Sequence, residues 1–266
     1  MLLFTSDLDR TLIYSNRLLR NFPPTSEVVA VEQKDGEVIS YMTEETLMLL
    51  QKVCQQTLFV PVTTRAYAQY ERLHFIEKLQ PTFAIISNGG ILLENGRPNE
   101  AWAKIVRQRI EDSAISYAEM LQHFHSVKSS TWLKQSFHMD SLFAVHYVDR
   151  DALSLEQYQA MMQSFDKYGW RIWLNGRKLY MMPKILTKES AIAYLREHCV
   201  HDTHIAAGDS IMDYGMLAMA DIGYTPSHGD LKDKQPQALG NTVYSTLNGE
   251  AFTKELLEAV LQLVVK

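Results

Sequence analysis

The stretch "LLFTSDLDRT", residues 2–11, decides the fold, because it places two carboxylates at the end of an apolar strand. In an extended chain, residues i and i+2 project to the same side, so Asp7 and Asp9 can face one site. In an open parallel sheet, ligands bind beyond the carboxyl ends of the strands. Two acids there repel each other unless a cation or a shared proton relieves them. The alternative is that one aspartate caps a turn while the other is a solvated charge.

Composition and charge restrict the class of protein. The 266 residues are 46% hydrophobic, which suffices for one large domain or two smaller ones. A formal charge of −5 and a pI near 6.0 give no sign of a basic surface for binding nucleic acid or an anionic membrane. The apolar run "MLLF" is too short for a signal peptide, and no stretch approaches the roughly 18 apolar residues of a membrane span. Cys54 and Cys199 are interpreted as apolar fillers in a reducing compartment, so we expect a cytoplasmic protein.

Strand and helix patterns alternate at both ends of the chain, which is typical of a parallel sheet wrapped by helices. The early strands are "LLFTSDL", "TLFVPVTT" and "TFAIIS", and the helices between them are "TEETLMLLQKVCQQ", with Thr43 as its cap, and "AYAQYERLHFIEKL". The late strands are "HIAAGD", "DIGYTP" and "TVYST", and the late helices are "TKESAIAYLREHC", "SIMDYGMLAMA" and "GEAFTKELLEAVLQLVV". Asp35-Gly36 predicts a hairpin within "EVVAVEQKDGEVISY".

The middle of the chain has a different pattern. Segments such as "SLFAVHYV" and "WRIWLNGRKLYMM" alternate apolar and polar residues, which predicts an antiparallel sheet with one face covered. Helices are predicted around 101–122 and 155–167. We therefore predict an α/β fold: a Rossmann-like parallel-sheet core from residues 1–89 and 186–266, with an inserted α+β cap domain at 90–185.

Two further strand ends carry polar groups. "FVPVTTR" ends in Thr63, Thr64 and Arg65, and hydroxyls with backbone N–H groups at a strand-to-helix junction can cradle an oxyanion such as phosphate. The alternative is an ordinary helix cap. In "AAGDSIMDYGML", Asp209 and Asp213 follow an apolar strand, and Gly208 would permit a close backbone approach. The alternative is that Asp209 or Ser210 caps the helix, while the negative charge of Asp213 is stabilised by the helix dipole.

Lys188 begins a predicted helix, where a cation is at the wrong end of the macrodipole. A phosphate or carboxylate would stabilise it there, although most lysines are solvated on the surface. Together the four segments suggest that acids hold a hard divalent cation such as Mg²⁺, one acid attacks, and hydroxyls and a lysine hold phosphate oxygens. A carboxylate nucleophile would form an aspartyl-phosphate.

These four ordered motifs resemble those of the haloacid dehalogenase superfamily of phosphohydrolases. By that resemblance, "DLDRT" supplies the nucleophile Asp7 and the general acid/base Asp9, whose backbone carbonyl also binds Mg²⁺. "VTTR" supplies Thr63 for the phosphoryl group, Lys188 neutralises charge, and "GDSIMD" supplies Asp209 as a metal ligand and Asp213 as a ligand or anchor. The insertion after "ISNGG" resembles the α/β cap of the sugar-phosphatase branch, which includes Cof-like, sucrose-phosphatase-like and mannosylglycerate-phosphatase-like proteins.

The sequence departs from the family pattern at two positions. Arg10 stands where glycine is frequent, and Met212 stands where the branch often has an asparagine that can support the metal or its waters. Neither departure removes a carboxylate that the reaction needs.

The resemblance implies a Mg²⁺-dependent phosphatase acting on a small phosphorylated metabolite, a sugar or polyol phosphate. A phosphomutase and a non-enzymatic phospho-ligand binding module are the alternatives, and the sequence carries no signal for an oligomeric state. Candidate substrate contacts are Arg65 and Asn88 on the core and Trp173, Asn175, Arg177 and Lys178 on the cap. The opposing interpretation is that Trp173 belongs to the cap's own core while Arg177 and Lys178 are solvated hairpin-turn charges.

Overall fold

The computed structural model describes residues 1–234 and 238–264. The chain divides into two compact units, the first formed by Met1–Asn99 with Lys188–Lys266 and the second by Glu100–Thr187. Residues 90–99, predicted to belong to the insertion, lie in the first unit because β6 (Ile91–Glu94) pairs antiparallel with β5 (Phe83–Ile86) and then with β7 (Arg97–Pro98). The role of the second unit as a cap stays a prediction.

A five-stranded parallel sheet forms the centre of the first unit, in the order β14-β13-β12-β1-β4. Its strands are β1 (Leu2–Ser6), β4 (Leu58–Pro61), β12 (Thr203–Ala207), β13 (Ile222–Thr225) and β14 (Thr242–Tyr244). The register pairs Ser6 with Ala207 on one side and with Pro61 on the other. The predicted α/β fold is confirmed, and the three strands that precede the predicted motifs end at the same level of the sheet.

Helices pack around this sheet. In the first unit they are α1 (Asn16–Asn21), α2 (Glu44–Gln56), α3 (Tyr67–Tyr70), α4 (His74–Leu79), α8 (Lys188–His198), α9 (Tyr214–Ala218), α10 (Leu231–Lys234) and α11 (Gly249–Val264). As predicted, Thr43 is the N-cap of α2, and its hydroxyl accepts a hydrogen bond from the Thr46 amide. The C-terminal helix was predicted to reach Val265, which lies outside the described residues.

Two predicted helices differ from the structure. The helix predicted at "AYAQYERLHFIEKL" is divided into α3 and α4, because the backbone of Leu73 forms an isolated bridge with Glu32. The helix predicted at "SIMDYGMLAMA" begins as a 3₁₀ turn over Ile211–Asp213 before α9. This tighter turn follows from the bonds that the Asp213 carboxylate accepts from Asp209 and Ser210.

The predicted hairpin is present as β2 (Val28–Lys34) and β3 (Glu37–Thr43). Asp35 and Gly36 have φ of 53° and 83°, as a two-residue turn with left-handed positions requires. The strand predicted at "TFAIIS" is β5, which contacts the parallel sheet through a bridge between Val62 and Ile85. It then pairs with β6, because residues 87–89 all have positive φ and turn the chain back.

The second unit contains α5 (Glu100–Ser113), α6 (Tyr117–Val127), α7 (Leu155–Asp166), β8 (Leu133–Met139), β9 (Phe143–Val148), β10 (Trp170–Asn175) and β11 (Lys178–Pro183). The strands form an antiparallel sheet in the order β10-β11-β9-β8, as predicted. One face packs against the helices, where Trp170 and Ile172 of β10 share a buried core with Phe165 of α7. Within the part of the chain that the structure describes, every helix is too short or too polar to cross a bilayer.

Candidate active site

Lys188 joins two of the predicted carboxylates. Its ammonium group donates to Oδ1 of Asp7 and to Oδ1 of Asp213, each at 2.6 Å. Asp7 follows β1, Lys188 opens α8, and Asp213 closes the 3₁₀ turn, so three distant segments meet at one point. The lysine side chain is 1% exposed, so the alternative of a solvated surface lysine is wrong. Burial alone lowers the pKa of Lys188, but the charges of Asp213 and Asp7 outweigh it and raise that pKa overall.

Asp209 completes a cluster of three buried acids. Carboxylate oxygens of Asp7, Asp209 and Asp213 lie within 4.8 Å of one another. Burial, partly offset by Lys188, raises the pKa of Asp7 to about 7. Burial and the charges of Asp7 and Asp213 raise the pKa of Asp209 well above its ordinary value. Oxygen ligands at this spacing suit a hard divalent cation, whose charge would relieve the repulsion, so the residues present fit Mg²⁺.

Asp213 differs from the other two acids because its carboxylate is already bonded on both oxygens. Oδ2 accepts from the amides of Asp209 and Ser210, at 3.1 and 2.9 Å, and from the Ser210 hydroxyl at 2.9 Å. A Cβ on Gly208 would lie 2.3 Å from the Asp213 Cβ, so the glycine permits this approach. These bonds favour an anchoring role for Asp213. Ser210 also caps the 3₁₀ turn through a bond from the Met212 amide, so the capping interpretation is correct for that residue.

Asp9 lies beside the cluster and is held by Arg65. The Arg65 guanidinium donates from Nε to Oδ2 and from Nη2 to Oδ1 of Asp9, at 2.7 and 2.8 Å. The same Nη2 lies 2.9 Å from Glu32, which is fully buried on the hairpin strand β2. Arg65 was predicted to contact substrate. Its side chain is 11% exposed and is engaged with these two acids. Its contact with substrate stays a prediction.

Thr63 and Asp7 follow neighbouring strands at the same edge of the sheet. The Val62 amide donates to the Ser6 carbonyl, and Asp7 is the first residue after β1 while Thr63 is the second residue after β4. Thr63 is fully buried and its hydroxyl accepts from the Arg65 amide at 3.1 Å, while Thr64 is half-buried. The backbone amide of Asn88 donates to the Thr63 carbonyl, so this predicted substrate residue lies beside Thr63. Phosphate binding by Thr63 and Thr64 stays a prediction.

The four predicted substrate residues of the second unit lie around one hairpin. Trp173 is on the sheet face opposite the helices and stacks on Tyr180, with ring centroids 4.9 Å apart and an interplanar angle of 7°. The interpretation of Trp173 as part of the buried core is therefore wrong. Arg177 and Lys178 lie at the β10–β11 turn and are exposed, as the alternative interpretation expected, and Asn175 at the end of β10 is exposed as well. Contact of these residues with a substrate stays a prediction.

Sequence reasoning missed Glu32, His228 and Asp230. Nothing in the β2 sequence marks Glu32, because its importance comes from two arginines that approach it from elsewhere in the chain. His228 and Asp230 lie in the loop after β13, where Asp230 accepts from the Ile211 amide and donates its own amide to the Asp209 carbonyl. Because ligands bind beyond the carboxyl ends of parallel strands, the loop after β13 could have been identified in the same way as the other motifs.

The fold and the site define a phosphatase of the haloacid dehalogenase type. The sucrose-6F-phosphate phosphohydrolase family profile matches residues 1–224, and the chain belongs to that family. A comparison with curated proteins found none that matches.

Solved structures share the fold at low sequence identity. The sucrose-phosphatase from Synechocystis sp. PCC6803, in complex with sucrose and phosphate, has a TM-score of 0.64 and 13% identity over 98% of this chain and 97% of that chain. A trehalose-6-phosphate phosphatase from Aspergillus fumigatus has a TM-score of 0.55 and 11% identity over 100% and 93%. A haloacid dehalogenase-like hydrolase from Bacillus subtilis has a TM-score of 0.56 and 14% identity over 97% and 91%.

Proposed function

We propose that this phosphatase hydrolyses a sugar or polyol phosphate with Mg²⁺, through an aspartyl-phosphate on Asp7. The observation that carries the proposal is the buried cluster in which Lys188 bonds Asp7 and Asp213 while Asp209 lies within ligand distance of both. A buried set of three acids and one ammonium is costly for stability unless its charges serve a ligand. The family membership supports a phosphorylated sugar as that ligand.

The first chemical step assigns one role to each aspartate. A carboxylate oxygen of Asp7 attacks phosphorus while the bond from phosphorus to the sugar oxygen breaks. Asp9, as a carboxylic acid, donates its proton to that departing oxygen. Lys188 holds the attacking carboxylate in place and balances negative charge around the transferring phosphoryl group. Thr63 would hold a phosphoryl oxygen from the neighbouring strand end.

The second step reverses the part that Asp9 plays. The Asp9 carboxylate accepts a proton from water as the water oxygen attacks phosphorus, which frees Asp7 and releases inorganic phosphate. Asp7, Asp209 and the Asp9 backbone carbonyl would hold Mg²⁺, with Asp213 anchoring the loop. When bound, the ion neutralises phosphoryl charge and orients the group for in-line attack.

Phosphate release from a panel of sugar, polyol and nucleoside phosphates, with Mg²⁺ or with a chelator, tests the proposal. We expect turnover of a sugar or polyol phosphate that needs Mg²⁺ and that Asp7→Asn abolishes. Asp112→Asn, an exposed acid on α5, is the matched control and should keep full activity. Turnover retained by Asp7→Asn would refute the nucleophile assignment. Recovery of an isomerised sugar phosphate in place of free sugar would identify a mutase, and tight binding without turnover would identify a binding module.

A further inference from the structure

Arg10 reaches the acid cluster from the residue directly after Asp9. Its Nε lies 2.8 Å from Oδ2 of Asp209. The backbone of Arg10 is left-handed, with φ of 67°, and its amide donates to the Ile13 carbonyl at 2.8 Å. A non-glycine residue in this conformation is strained. The ion pair with Asp209 is therefore maintained from a backbone position that a bulky side chain does not favour.

His228 bonds both the side chain and the backbone of Arg10. The Arg10 Nη2 donates to the His228 carbonyl at 2.7 Å, and the His228 Nε2 lies 2.8 Å from the Arg10 carbonyl. The Gly249 amide donates to His228 Nδ1, so Nε2 carries the proton and is the donor to Arg10. The same loop touches Asp209 directly, since a Cβ on Gly229 would lie 2.2 Å from the Asp209 carbonyl oxygen. Arg10 and Asp209 are thus fixed to one loop.

The charges of the cluster divide between two cations. Lys188 is bonded to Asp7 and Asp213, and Arg10 is paired with Asp209. The Asp209 side chain is 7% exposed, whereas that of Arg10 is 45% exposed. The buried acid therefore stays in the cluster, whereas the guanidinium can turn into solvent on its flexible stem once it gives up its bonds to Asp209 and to the His228 carbonyl. A divalent ion on Asp209 would meet a positive charge at the same carboxylate, and the two repel strongly in a partly buried site.

We infer that Arg10 is a tethered counter-ion of Asp209 that competes with the divalent cation for this carboxylate and so weakens metal binding. This inference rests on the metal site of the proposed function. In the metal-free protein, Arg10 stabilises the buried acid. When metal binds, Arg10 gives up Asp209 and turns outward, so part of the binding free energy is used to displace it.

Direct titration of Mg²⁺ into the metal-free protein by calorimetry tests the inference without any turnover. The variants are Arg10→Gln, which removes the charge, and Arg10→Gly, which also relieves the left-handed backbone. Arg20→Gln is the matched control, because it removes one exposed positive charge from α1. We expect both Arg10 variants to bind Mg²⁺ about tenfold more tightly than the wild type, and Arg20→Gln to bind as the wild type does.

Thermal unfolding gives a second readout. With a chelator present, Arg10→Gln should melt at a lower temperature than the wild type, because Asp209 loses its partner. With saturating Mg²⁺ this difference should shrink or reverse, because the metal takes the place of the lost charge.

Equal or weaker Mg²⁺ binding by the Arg10 variants would overturn the inference while leaving the metal site intact. Absence of Mg²⁺ binding by the wild type and by both variants would overturn the metal site and the inference together. Tighter binding by the variants in a protein that releases no phosphate would support the inference and count against the proposed function alone.

Discussion

Arg65 grips both carboxylate oxygens of Asp9, at 2.7 and 2.8 Å, and is itself held by the buried carboxylate of Glu32 at 2.9 Å. A planar guanidinium bound at two points fixes the orientation of a carboxylate far better than a single contact does. The hairpin that carries Glu32 is thereby connected to the proposed general acid/base through one side chain.

Arg65→Lys should impair the step in which Asp9 protonates the leaving group, because lysine keeps the charge but loses the two-point contact. We expect kcat/KM for a sugar phosphate to fall about 100-fold, and for p-nitrophenyl phosphate by less than about tenfold, since nitrophenolate leaves without a proton. Arg72→Gln is the control, because Arg72 also contacts Glu32 but binds its Oε1, whereas Arg65 binds Oε2. Equal losses on both substrates would contradict the positioning role.

Lys188→Met should destabilise the metal-free protein, because it leaves Asp7 and Asp213 buried without their shared cation. Removal of one partner from a buried charge cluster costs about 3–5 kcal/mol, so chemical unfolding should show a loss in that range, together with loss of turnover. Lys184→Met is the matched control. Lys184 pairs with Asp166 on the surface, with 38% and 66% of the side chains exposed, and should cost less than about 1 kcal/mol. Similar effects of the two substitutions would refute the buried role of Lys188.

Glu250 should make the fold less stable as pH rises. Burial outweighs the hydroxyl bonds from Thr46 and Thr43 and raises the pKa of Glu250 from 4.5 to about 7. The folded state therefore keeps this proton to a higher pH than the unfolded state does, so its contribution to stability is present below about 4.5 and is lost as pH rises to about 7.

Glu250→Gln removes that titration. Its free energy of unfolding should match the wild type near pH 4.5 and exceed it by about 3 kcal/mol at pH 8. Glu258→Gln, exposed on the same helix, should follow the wild type at every pH. A constant difference between Glu250→Gln and wild type across this range would show that folding does not raise the pKa of Glu250.

Gly208→Ala should disturb the site through packing alone. The new methyl group would lie 2.3 Å from the Asp213 Cβ, so Asp213 must move and Lys188 must move with it. We expect a loss of about 1–3 kcal/mol in urea unfolding and a lower kcat. Gly240→Ala is the control, because nothing lies within 4 Å of its added Cβ. Full activity in Gly208→Ala would show that the site tolerates displacement of Asp213.

Patterns along the chain were sufficient to predict the sheet and the acid cluster. Apolar strands ending in acids or hydroxyls placed Asp7, Thr63 and Asp209 at one sheet edge, and the strand register confirms that their strands are neighbours. This works because parallel strands share a direction, so the carboxyl ends of neighbouring strands meet.

Pairs that depend on long-range geometry could not be predicted. The ion pairs of Arg10 with Asp209 and of Arg65 with Glu32 join segments whose approach is set by loops and by the hairpin. The path of β5 also escaped prediction, since the turn at residues 87–89 uses left-handed Ser87 and Asn88, which the sequence does not require. Arg10 was recognised only as a departure, and its partner became visible in the structure.

Rapid acid quench of the enzyme during turnover of a ³²P-labelled substrate tests the central claim most directly. The account predicts an acid-stable, hydroxylamine-labile label that borohydride reduction and mass spectrometry locate at Asp7, and that Asp7→Asn lacks. Label on another side chain, or steady turnover by the wild type with no labelled protein, would contradict it.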